Sequence, residues 1–159
     1  MIRTAQMIAS ALCLVASAAL AAEKLQLVSP ERLANYWLLA TTGDANVPNS
    51  GRNLQAPSCA AVSYAIEKSG TTSQVKLERL VPDGDLGKVA VSMISGLRFA
   101  AAPQNRGKDA VSTYMVVPFN LPDANSSNAA ERALRTHALA ACKLDNFKPG
   151  ANDVINIVP

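Results

Sequence analysis

Histidine is nearly absent from this chain of 159 residues, and cysteine is scarce: His137 stands alone beside Cys13, Cys59 and Cys142. These shortages exclude a histidine-rich metal centre and any His-dependent nucleophilic triad that does not use His137. His137 and Cys142 are five apart, about 140° round a helix, which is poor geometry for sharing an ion. No metal site and no cofactor are expected. There is no G-x-S-x-G elbow, and Gly84-Asp85-Leu86-Gly87-Lys88-Val89 lacks the spacing and the Ser/Thr of a phosphate loop. No catalytic residue emerges, and the chain is expected not to be an enzyme. An excess of one charge is missing too. The formal net charge is +3 and the basic residues are scattered, which argues against nucleic acid as a partner. Internal repeats, low-complexity tracts and a Pro-rich spacer are also absent.

What is present begins with an export signal over residues 1–22. Arg3 gives a positive start, Met7 to Ala19 is an apolar run, and Ala19 and Ala21 fit the A-x-A cleavage pattern. The rival reading is a retained membrane anchor, for which the run falls short of the roughly 20 residues a span needs. Export leaves Cys59 and Cys142 as an even pair, which favours a disulfide. Two thiols buried apart are the other reading.

Residues 23–57 read as a helix followed by a loop. Ser29-Pro30 suits a helix start, and Leu33, Tyr36, Trp37 and Ala40 recur at helical spacing, with Trp37 as a core anchor. Thr41 to Pro57 is rich in turn residues. Residues 58–159 read as the folded core. Val62, Tyr64 and Ile66 alternate as a half-buried strand, and Val75 to Val81 returns after a turn at Lys68-Ser69-Gly70-Thr71. Arg79 and Leu80 break the alternation of that second strand, which a two-sided or a twisted strand would each explain. Pro82-Asp83-Gly84-Asp85 stops it, and Asp83 or Asp85 can cap a helix. Leu86, Val89, Ala90, Met93, Ile94 and Leu97 give this helix one apolar face.

A turn around Pro103 to Gly107 leads to a strand over 111–119. Thr113, Met115, Val117 and Phe119 share one face; Ser112, Tyr114 and Val116 share the other. Pro118 has no N–H to donate, which places this end at a sheet edge or a strand terminus. A last helix runs from Asn128 to about Leu144, with Glu131 completing an Asn-led capping box. Its stripe is Ala130, Ala133, Leu134, His137, Ala138 and Ala141, on which His137 reads as a packed core residue, with Cys142 at the flank. Asp153 to Val158 alternates enough for one more short strand. The fold expected is α+β: a small antiparallel sheet of strand-strand-helix-strand order, packed by helices, with extra N- and C-terminal helices.

The stretch from Ser58 to Pro122 resembles the C-terminal domain of the TonB family of energy transducers. The resemblance lies in the order of strand and turn (Val62 to Gly70), strand (Val75 to Val81), helix ending in Arg98-Phe99, Gly107 turn, and a last strand ending Pro118-Phe119. It implies binding of a protein partner in the cell envelope, such as an outer-membrane receptor, through strand addition at a sheet edge. The edge that carries over is the last strand: Val111, Thr113, Met115, Val116, Val117 and Phe119. Without a spacer and with a cleavable leader, the chain departs from a full transducer. A periplasmic, non-enzymatic binding domain is therefore expected. The alternatives are a membrane-anchored transducer for outer-membrane transport and a self-associating, homodimeric envelope protein.

Overall fold

A computed structural model describes residues 25–44 and 47–147. The expected leader and the expected short strand at Asp153 to Val158 lie outside these residues. Within them the chain is α+β. Six strands run in the order β1 (Gln26–Leu27), β2 (Trp37–Thr41), β3 (Ser58–Ile66), β4 (Thr72–Val81), β5 (Arg98–Ala101) and β6 (Val111–Phe119). The helices are α1 (Leu86–Ser95) and α2 (Ala129–Ala141).

The main sheet has the order β1-β6-β3-β4, and β2 pairs with β5 in a second, two-stranded sheet. The expectation of an antiparallel sheet holds for β6-β3-β4, but β1 runs parallel to β6, so the sheet is mixed. The two sheets meet where Phe99 N–H donates to Gly70 O at 2.8 Å and Thr71 bridges Arg98. Gly70 has φ +81°, and a Cβ there would run into the Phe99 carbonyl, so only glycine fits this junction.

β3 is the middle of the fold. The sequence suggests a half-buried strand, but β3 is buried on both faces apart from Ser63. Ala60, Val62, Tyr64 and Ile66 face a core with α1, Trp37, Phe99, Val111 and Val117. Cys59 and Ala61 face a smaller core with Tyr114, Cys142, Leu144 and Phe147. The second cover comes from the segment after α2, which sequence alone does not bring back to the sheet. Small alanines on β3 let both layers approach closely.

The broken alternation of β4 has a local cause. Ala61 opposes Arg79 while Val62 opposes Leu77, so Glu78 is an extra residue in a β-bulge. The bulge turns Leu77 and Leu80, three apart, onto the same side, where both lie over Gly87 of α1. The apolar stripe of α1 packs as its periodicity predicts, with Leu86, Val89, Ala90, Ile94 and Leu97 buried. Asp85 precedes α1 but does not cap it with its side chain. Its Oδ2 instead accepts from Arg52 N–H at 2.8 Å, tying the preceding loop to the helix start.

Two departures from expectation lie in the N-terminal region and at residues 98–101. The expected helix around Trp37 is a 3₁₀ turn, Pro30–Asn35, that ends before Trp37; Trp37 itself opens β2. Pairing with β5 overrides the helical spacing. Trp37 is still a core anchor at 3% exposure, and its Nε1–H donates to Asp109 O at 3.0 Å. Arg98-Phe99, expected to end the helix, open a strand instead: residues 98–101 are β5. The loop after β5 is held by buried Asn105, whose amide donates to Tyr36 O at 3.1 Å and accepts from Asp109 N–H at 2.8 Å.

Candidate functional site

β6 lies between β3 and β1, but its two sides are not equally covered. Along β3 it is paired throughout, from Ser58 opposite Phe119 to Ile66 opposite Val111. Along β1 it is paired only at Val111 and Ser112. β1 then leaves through Val28, whose N–H donates to Ser112 O at 2.8 Å, and the chain turns away into the 3₁₀ turn.

That last bond fixes the phase of the edge. Ser112 directs its backbone outward, so by the two-residue period Tyr114, Val116 and Pro118 do so as well. Among the described residues no strand pairs with β6 at these three positions. Pro118, the residue without an N–H, falls in the outward set, where no ladder bond to β3 is lost. Of the residues expected to bind, Val116 presents its backbone at this edge. Val111, Thr113, Met115, Val117 and Phe119 direct theirs to β3, with Val111, Thr113 and Val117 buried.

The side chains of Tyr114, Val116 and Pro118 form the floor of a groove of about 490 Å³. α2 supplies one wall through Arg135, Thr136, Leu139, Ala140 and Lys143, and Pro30 and Glu31 close one end. α2 owes its position to its C-terminal end. The Cys59–Cys142 disulfide joins it to β3 with a Cα–Cα distance of 6.1 Å, as the cysteine pair suggested. Arg79 donates to the carbonyls of Ala141 and Lys143 at 3.0 and 3.1 Å, serving as a cationic C-cap. At the other end Asn128 Oδ1 accepts from Ala130 N–H at 2.9 Å, the expected N-cap. No residue of α2 is itself buried.

The wall residues were not legible as a site. The sequence pattern favours the stripe Ala130-Ala133-Leu134-His137, yet Leu134 is 48% exposed and His137 is exposed. His137 is thus not a packed core residue. The disulfide rotates α2 so that Arg135, Ala138, Leu139 and Cys142 are its less exposed side. Counting back three, four and seven from a bonded Cys142 is the signal that finds them.

The groove's charges are Glu31, Arg135 and Lys143. Glu31 is held below the ordinary carboxylate range by its own backbone N–H, then by the Ser29 hydroxyl, with Lys143 adding a smaller attraction. Arg135 is fixed by donating Nη1–H to Pro122 O at 2.8 Å, beyond the end of β6. Among the described residues, no group of three or more His, Cys, Asp or Glu side chains could hold a metal, and no helix is long and apolar enough to cross a membrane. Comparison of the chain with protein-family models, curated proteins and solved structures finds no match.

Proposed function

We propose that this protein is a non-enzymatic, TonB-like binding domain of the periplasm that takes up an extended segment of an envelope protein along β6. One observation carries the reading: the outward backbone groups of Tyr114, Val116 and Pro118 have no paired strand among the described residues and border a groove. A segment added there satisfies these groups by backbone hydrogen bonds, which supply affinity, while alternate side chains enter the groove and supply selectivity. The succession of β3, β4, α1 and β6 supports the family likeness, with β5 inserted between α1 and β6, and the disulfide fits an oxidising compartment.

Val116→Pro tests the reading, because it removes the central outward N–H without touching the β3 ladder. Crosslinking in the envelope, with the mature protein as bait, should identify a partner that the variant loses at unchanged thermal stability. Recovery of the same partner by both proteins would refute strand addition. A mature N-terminus at Ala22 or Glu23 fits the exported form; an N-terminus that keeps residues 4–22 would favour the anchored transducer.

A further inference from the structure

The groove's geometry points to the chemistry of the segment it selects: an extended peptide with a carboxylate side chain over Pro118 and a small apolar side chain over Val116. This rests on the strand-addition reading above and goes beyond it, since it assigns specificity to α2.

Residues directly opposite one another in a ladder share a face. The residues of an added strand opposite Val116 and Pro118 therefore point to the same side as those two, into the groove. They are two apart, about 7 Å along the strand. The two ends of the groove differ in charge. At the Tyr114 end, Lys143 lies next to Leu144, whose N–H approaches the Tyr114 hydroxyl at 3.4 Å. Glu31 and Lys143 both line the groove, and Lys143 adds a small attraction to the Glu31 carboxylate. At the Pro118 end stands Arg135, aimed by its bond to Pro122 O. That partner is a neutral carbonyl, and no carboxylate pairs with Arg135 among the described residues; a guanidinium has five donors in a fork that matches a carboxylate. Glu31 is the only acid of the groove's lining among the described residues, and it sits at the far end. Between the ends, Val116, Leu139 and Ala140 are apolar and leave room for a small side chain.

The probes are blocked peptides of alternating Thr and Val in which one central Val is kept or replaced by Asp, Asn or Lys. Their affinities for the oxidised protein are read by calorimetry at low and high salt. The Asp peptide should bind about tenfold tighter than the Lys peptide, with Asn between, as one charge-assisted pair predicts. Added salt should narrow that gap. Arg135→Ala should bring the Asp and Lys peptides to within about twofold while the all-Val peptide binds as before, and Arg135→Glu should reverse their order. Equal affinities in the unmodified protein, or a gap that survives Arg135→Ala, would overturn the assignment to Arg135 and leave strand addition standing. Failure of every peptide to bind, or binding that Val116→Pro does not weaken, would sink strand addition itself.

Discussion

Thr113 and Tyr64 are opposed across the β3–β6 ladder and are 0% and 1% exposed, yet neither hydroxyl has a hydrogen-bond partner among the described residues. A buried hydroxyl without a partner costs more than it returns, so removing it at constant shape is tolerated or favourable. Thr113→Val should leave stability unchanged or raise it by up to about 1 kcal/mol in urea denaturation. Burial also pushes the Tyr64 phenol up. A raised native pKa means that the stability tied to Tyr64 is complete below the ordinary tyrosine value of about 10 and declines above it. Ultraviolet titration should therefore show Tyr64 ionising only as the fold is lost, a step missing from Tyr64→Phe. At this scale the sequence is informative where one residue type allows few environments: Pro118 reads as an edge residue, and Trp37 as an anchor. It is silent on Thr113, because a threonine in a strand looks the same whether its hydroxyl is satisfied or not.

Among the elements, α1 and α2 show opposite sides of the same rule. α1 is legible because its apolar stripe is wide and made of large side chains, and burying it dominates every alternative packing. The stripe of α2 is mostly alanine, with too little apolar area to set the helix's rotation. A covalent bond sets it instead, and the arginine and lysine wall follows from that bond. Replacing both Cys59 and Cys142 with Ser should release α2 first. The loop closed by this bond spans 83 residues, and its loss costs on the order of 4 kcal/mol in the chain-entropy estimate. Hydrogen exchange should show α2 amides near free-chain rates while β3 and β6 stay protected. Equal protection of α2 with and without the bond would show that Leu139 and the Arg79 cap hold the helix unaided. β2 and β5 were missed for another reason: Leu38, Leu39, Ala100 and Ala101 acquire strand character only from pairing between the two segments, about sixty residues apart in sequence.

Across the whole molecule, the pairings that close the fold are distant in sequence. β1 meets β6, β2 meets β5, and the Trp37 indole reaches Asp109. Among the described residues, only β3 and β4 form a local hairpin. Loop closure must precede most native contacts, so refolding with the disulfide intact should take milliseconds to seconds, not microseconds, in stopped-flow fluorescence of Trp37. The α+β class was readable because strand alternation and one strong helix recur within short windows. The curl of one sheet into the next was not, since a junction such as Gly70 to Phe99 leaves only a glycine in the sequence.

The outward row of β6 is also lopsided. Tyr114 and Val116 each offer a donor and an acceptor, while Pro118 offers an acceptor alone. Two copies joined edge to edge about a twofold axis at Val116 would set each Pro118 against the other copy's Tyr114 carbonyl, with no N–H to meet it. Such a pair would strand one acceptor at either end. A foreign segment with an ordinary residue over Tyr114 strands only one, the carbonyl of its own residue over Pro118. One imino acid thus leaves a self-pair with two unmet acceptors and a mixed pair with one, a difference that disfavours adhesion of the edge to its own kind.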